Sequence, residues 1–357
     1  MVSRLIFLNM SLIISKSAPG AVPADVREHF EKFGHSARSW FTTSSHKIDV
    51  SIPDGRVLML MMTPARLLSQ QITPGLDGAT LSRSFIPELF DLAERHGLTS
   101  AAMAFNSCPR STAGCAMGCL THSGHGITVP AARGRRTLAF LSDPSLTARA
   151  TLWAMGPHYR AAKKAGETLA VRLNGTSDLP WHSIGFDVSP SEVIGLRERY
   201  GIEIEPGSHT LPEILRGLDD AVNYEYSKHA VPVLKKMRAA GVDVTASFAA
   251  DRENGCHEAI EALRHGFRIA VPVDIAKGDA IPAMMTISSV WDAVRVPCVD
   301  GDKSDHRYLD GDSVAVILRT KKSRGADHNI SDRFTLRNHE SPQELADGFV
   351  CFRWFYP

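Results

Sequence analysis

Apolar and polar positions follow two different rhythms along this chain, and the change comes near residue 100. Before it the pattern is sparse. Residues 26–33 read as a short amphipathic helix. Two alternating runs, residues 47–52 and 56–62, flank Asp54-Gly55 and predict a β-hairpin. Residues 87–96, followed by Gly97, predict a helix with a glycine stop. After residue 100, short apolar runs of strand length alternate with amphipathic stretches. The runs at 101–105, 168–173, 222–226, 242–248, 267–273, 294–299 and 313–318 predict strands. The stretches at 146–165, 211–217, 231–240 and 256–264 predict helices, with Gly156-Pro157 as a breaking point in the first.

Strands that are apolar throughout, alternating with helices, signal βα units and a parallel sheet. Seven of them predict an α/β fold: a partial or closed parallel βα (TIM-like) barrel. A doubly wound sheet is the alternative, although no G-x-G-x-x-G is present for its dinucleotide-binding form. The expected organisation is an N-terminal extension with hairpin and helix (1–99), a βα-barrel domain (100–325) and a C-terminal tail (326–357). The aromatic-rich end of that tail packs back on the body.

Composition narrows the class. The chain has 357 residues, 43% hydrophobic and 22% charged, which excludes disordered and collagen-like readings. Its net charge of +1 excludes a uniformly basic surface. The balance is local, however. Residues 110–172 hold nine basic and two acidic residues, and residues 187–225 hold three basic and nine acidic. The first stretch suits a phosphate or nucleic-acid cleft or a solvated face. No apolar run is long enough for a spanning helix, so no membrane span is expected. Arg4 and the interrupted apolar run behind it read either as a signal peptide or as an N-terminal extension (residues 1–21).

Three of the six cysteines fall in one loop: Cys108, Cys115 and Cys119, spaced C-x6-C-x3-C with small residues between. Thiolates at close spacing suit zinc or an iron–sulfur cluster better than a disulfide framework, which favours a cytoplasmic location. Three thiolates would leave one iron of a 4Fe-4S cluster open. His122 or His125 would complete a Cys3His zinc site instead. Cys256 is the leading fourth thiol, and Cys298 and Cys351 read as scattered core residues.

In parallel βα folds the site lies at the carboxyl ends of the strands. Each expected strand here is followed by concentrated polar residues. Arg172, Asn174, Thr176, Ser177 and Asp178 follow one, with a cap on a turn near Pro180 as their simpler role. Tyr224, Tyr226 and Lys228 alternate with period two and share a strand face. Asp300, Asp302, Asp305 and Arg307 form a divalent-metal loop or a substrate clamp, and Lys321 follows the last strand. His125, Arg133, Arg135 and Arg136 behind the cysteine loop are candidate phosphate contacts.

A three-cysteine loop at the mouth of a βα barrel resembles the radical S-adenosylmethionine enzymes, whose spacing is C-x3-C-x2-C; the loop here is longer. A closer resemblance is to the phage and plasmid gene product 88 family. It is carried by Cys108-Pro109 with Cys115 and Cys119, by residues 171–178 with Trp181, by residues 223–228 and by residues 300–307. The first resemblance implies a 4Fe-4S cluster on the three cysteines, an electron donor as partner, and S-adenosylmethionine held by Arg172, Asn174, Thr176, Ser177 and Asp178. The expected activity is radical S-adenosylmethionine-like chemistry on a nucleotide, nucleic acid or other phosphate-bearing substrate. Lys228, Tyr226 and Asp305 are then the catalytic candidates, with Tyr224, Asp300, Asp302, Arg307 and Lys321 on the substrate. The alternatives are a zinc-stabilised nucleic-acid-binding or replication-associated protein and an Asp-loop metal-dependent hydrolase.

Overall fold

The computed structural model describes residues 21–43, 55–62, 87–112, 115, 130–252, 254–276, 278–289 and 292–319, and the backbone of three short strands beyond them. Its helices are α1 (Ala24–Lys32), α2 (Pro87–Arg95), α3 (Thr99–Ala104), α4 (Pro130–Ser142), α5 (Pro144–Ala165), α6 (Pro190–Tyr200), α7 (Leu211–Arg216), α8 (Val231–Ala239) and α9 (Gly255–Arg264). Its strands are β1 (Gly55–Met59), β2 (Thr168–Arg172), β3 (Phe186–Val188), β4 (Gly207–His209), β5 (Ala221–Ser227), β6 (Val242–Ser247), β7 (Arg268–Val273), β8 (Met284–Ser288), β9 (Ala293–Asp300), β10 (Ala315–Arg319), β11 (Gln343–Leu345), β12 (Gly348–Val350) and β13 (Arg353–Phe355).

The fold is α/β, built on one nine-stranded sheet in the order β1-β2-β5-β6-β7-β10-β9-β8-β13. The seven strands from β1 to β9 in that order are parallel. β8 runs antiparallel to both β9 and β13. The strands lie in a line, and among the described residues no ladder joins β1 to β13, so the closed form of the expected barrel is not seen. β3–β4 and β11–β12 are separate antiparallel pairs.

The register sorts side chains by face. Leu58, Leu169, Val171, Val244, Ala246, Ile269, Val271, Ala315 and Ile317 point to the helices, in two extended cores. Each Val, Leu or Ile among them, fully buried, contributes about 1.5–3 kcal/mol. The opposite face is different. Val57, Met59, Ala170 and Tyr224 form a small cluster there with Tyr308 of the 3-10 turn Arg307–Leu309, and no α-helical residue belongs to it. Among the described residues the helices therefore cover one face, whereas a doubly wound sheet carries them on both.

Several sequence expectations change in the fold. Residues 101–105 lie in and just after α3, not in a strand; its run Thr-Ser-Ala-Ala-Met-Ala favours helix. The hairpin's first arm, residues 47–52, lies outside the described residues, as does the segment 1–20. Its second arm is β1, which pairs in parallel with β2, Val57 opposite Ala170. α5 runs unbroken through Gly156-Pro157. Asp143 caps it by accepting from the Leu146 amide at 2.8 Å, and Gly166 ends it at φ 69°. Gly156 is there for packing: a Cβ at this position would stand 2.2 Å from the Tyr200 ring of α6. Replacing Gly156 with Ala is expected to cost about 1–3 kcal/mol in urea unfolding, although alanine favours helix in isolation.

Candidate functional site

Polar residues converge where β2 and β5 end. The loop behind β2 is shaped from within. Asn174 Oδ1 accepts from the Leu179 amide at 2.8 Å and from Ser177 Oγ at 2.9 Å, and its Nδ2 donates to Leu179 O. Thr176 Oγ1 donates to Met62 O, tying this loop to the exit of β1. Asp178 reaches across to β5: Oδ1 accepts from Ser227 Oγ and Oδ2 from the Lys228 amide, both at 2.9 Å. His229 Nε2 lies 3.8 Å from the same carboxylate. The 3-10 turn Trp181–Ser183 has no side-chain cap, so Ser177 and Asp178 serve these contacts and not the cap considered above.

The cysteine loop lies across the same strand ends. Its first residue is oriented by an Asx turn, the Cys108 amide donating to Asn106 Oδ1 at 2.9 Å. Cys108 Sγ donates to Thr176 O at 3.6 Å. Arg110 Nε donates to Lys228 O at 2.9 Å, and its Nη2 reaches Glu258 of α9 at 3.0 Å. Arg252 Nη1 bonds the same carbonyl and the same carboxylate. Thr112 Oγ1 donates to Asp251 at 2.6 Å while accepting from the Cys115 amide at 3.1 Å. The loop is thus fastened to the exits of β2, β5 and β6.

Lys228 joins the two halves. Burial opposes its charge, but a hydrogen bond to Cys115 and the nearby Asp178 and Cys108 outweigh it and raise its pKa above the ordinary lysine value. Two thiols, an ammonium and a carboxylate therefore lie close together. Cys119, His122, His125 and Lys321 lie outside the described residues. Among the described residues no three His, Cys, Asp or Glu side chains group as a metal requires. Cys256 is buried in the apolar core, at the start of α9.

The helix-free face carries a second group of residues. The Arg172 guanidinium stacks on Tyr226, 4.5 Å from the ring centroid. Burial opposes its charge, and Tyr224, Asp305, Tyr226 and Glu225 together raise its pKa nonetheless. Burial pushes the Tyr226 phenol up to about 12 and raises that of Tyr224 as well. Arg307 is buried and pairs with Asp310 at 3.1 Å. Tyr224 packs against Tyr308, whose hydroxyl is 3.0 Å from His306 Nδ1. Tyr224 and Tyr226 do share a face, and Asp305 and Arg307 are brought to it. Lys228, one residue beyond β5, turns to the thiols. Asp300 and Asp302 take another partner: Arg319 Nη1 lies 3.0 and 3.5 Å from their carboxylates, and the Arg319 amide donates to Asp302 at 3.0 Å.

Glu225 is central to the site, and sequence reading passed over it. It is buried, and its carboxylate accepts from the Leu173 amide at 2.7 Å and the Asn174 amide at 3.0 Å, setting the first bend of the β2 exit loop. The one available signal was a carboxylate inside an otherwise strand-like run. Burial lifts its carboxyl to about 8, against the pull of Arg172 and the two amides. The folded protein therefore keeps this proton up to about pH 8, whereas the unfolded chain releases it near pH 4. The resulting stability is complete below about pH 4 and is lost as pH rises toward 8. Relative to Glu225→Gln, the parent is expected to lose on the order of a few kcal/mol between pH 5 and 8 in urea titrations. A constant difference over that window would contradict this.

Fold and site define a mostly parallel α/β protein with thiol, cationic and phenolic side chains gathered at strand carboxyl ends. The family model for gene product 88 matches residues 60–335, and the chain belongs to that family. The matched span includes the cysteine loop and every site residue described above. No curated protein and no solved structure matches the chain. Among the described residues no helix is long and apolar enough to cross a membrane.

Proposed function

We propose that this gene product 88 protein is an iron–sulfur enzyme of radical S-adenosylmethionine type, working in the cytoplasm on a partial βα barrel. The observation that carries the reading is the meeting of Cys108 and Cys115 with Lys228 at the exits of β2 and β5. The donor set fits the group. Soft thiols suit a 4Fe-4S cluster, and an adjacent ammonium offsets the negative charge that thiolate ligation brings. Helices on one face and a polar opposite face are the layering of a partial barrel.

Cys108, Cys115 and Cys119 would hold the cluster. When bound, it would supply one-electron reduction of S-adenosylmethionine and so the radical that attacks substrate, with an electron donor as partner. The chain's own residues bind, orient and exclude water. Asp178 orients the β2 exit loop toward Lys228. Arg172 offers a guanidinium held over the Tyr226 ring, suited to a carboxylate or phosphate oxygen. Arg110, Arg252 and Glu258 close the pocket behind Lys228 O.

Anaerobic purification followed by metal, sulfide and absorbance measurements tests the proposal. Iron with sulfide and a visible band that changes on adding S-adenosylmethionine is the expected result. One zinc per chain and no iron would overturn it in favour of a zinc-stabilised nucleic-acid-binding protein.

A further inference from the structure

The helix-free face holds several polar atoms that the fold leaves unused. Tyr224 is 0% exposed, and its hydroxyl makes no hydrogen bond. Arg172 Nε and Arg307 Nε are sealed from solvent without acceptors, and His306 Nε2 is in the same condition. Arg172 lies over the Tyr226 ring at 4.5 Å, Arg172, Tyr224, Tyr226 and Asp305 interact with one another electrostatically, and Arg307 interacts with Tyr226, so these groups lie close together. Three of the four unused atoms, one on Tyr224 and two on arginines, are donors. Leaving such groups without partners costs free energy, and native proteins rarely tolerate it away from a ligand or water site.

Asp305 adds the opposite chemistry. It is half-buried and close enough to Arg172 and both phenols to act on each of them. A plain anion would satisfy the donors and be repelled by this carboxylate. A ligand with an oxyanion and a hydroxyl next to it satisfies both. Aromatic rings pack beside these groups: Tyr224 against Tyr308 at 5.7 Å, and His306 edge-on to Tyr308 at 5.5 Å.

We infer that the helix-free face binds a phosphorylated sugar, alone or as part of a nucleotide, with Arg172, Tyr224 and Arg307 on the phosphate oxygens and Asp305 on a sugar hydroxyl. The inference deepens the proposed function by naming the substrate class of that site. It rests on the reading that ligands enter at these strand ends, and it does not require iron.

Calorimetric titration with ribose 5-phosphate, inorganic phosphate and ribose tests it, with iron measured on the same sample. Ribose 5-phosphate is expected to bind more tightly than either fragment. Tyr224→Phe removes one hydroxyl and keeps the ring. It should weaken ribose 5-phosphate binding about tenfold. Its ligand-free melting temperature should hold or rise, because a buried unpaired hydroxyl is gone. Arg172→Gln should abolish saturable binding. Absence of saturable binding by the parent protein, or a Tyr224→Phe protein that binds as the parent does, would overturn the inference. Inorganic phosphate binding as tightly as the sugar phosphate would overturn the role of Asp305. An iron-free sample that still binds ribose 5-phosphate supports this inference and counts against the cluster, so the two failures are distinguishable.

Discussion

Cys115→Ala protein, purified without oxygen, is expected to be colourless and to hold almost no iron, against about four per chain expected for the parent under the proposed reading. Its far-ultraviolet circular dichroism should match that of the parent. Both halves of the expectation come from the position of Cys115. Its sulfur is the one hydrogen-bonded to Lys228, at the point where the loop, β2 and β5 meet. Removing it takes away one of the three proposed ligands and leaves Lys228 facing one described thiol instead of two. The fold should survive because Cys115 belongs to neither large apolar core. Its loop also keeps the clamp of Arg110, Arg252 and Glu258 and the bond from Thr112 to Asp251. Iron retained at the parental level would remove Cys115 from the ligand set. Loss of the circular dichroism signal would mean a structural role instead.

Asp178→Ala is the substitution expected to cost most stability, about 3 kcal/mol in urea unfolding. The carboxylate is buried and accepts from Ser227 Oγ and the Lys228 amide, and His229 lies beside it. Alanine would leave the buried Ser227 hydroxyl and the half-buried Lys228 amide without this acceptor. It would also release the β5 exit from the loop behind β2. The Asp178 amide donates to Ser107 O at 2.8 Å, so the cysteine loop should loosen with it. Asp178→Asn keeps an acceptor and should cost about half as much. Faster alkylation of Cys108 and Cys115 in Asp178→Ala is the accompanying expectation. Parental stability together with parental thiol reactivity would show that Asp178 does not couple the two segments.

The parts of the fold legible in the sequence were those written in local pattern. β2, β5, β6, β7, β9 and β10 each follow a short apolar run, and α5, α7, α8 and α9 an amphipathic stretch, because side-chain period reports buried faces directly. α3 was misread because its six residues are too few to separate helix from strand by period. The parallel pairing of β1 with β2 was not legible because the turn pair Asp54-Gly55 is a local signal, whereas that pairing spans more than a hundred residues. β8 escaped notice because its alternation of half-buried and buried residues is brief, and β3 and β4 because each has only three residues.

The site divides along the same line. Residue type and chain position alone marked the thiols, Arg172, Asn174, Asp178, Tyr224, Tyr226 and Lys228 as polar chemistry at strand ends, since a parallel βα pattern places such residues together whatever the loops do. Which of them meet was settled only by packing. Arg319 occupies Asp300 and Asp302, Lys228 faces the thiols and not the phenols, and Glu225 holds the bend from which the β2 loop starts. Those pairings join residues from 17 to more than a hundred positions apart, through contacts that depend on the register of neighbouring strands. Side-chain period along the chain carries the face of each strand; the distance across the sheet exists only once the strands are aligned.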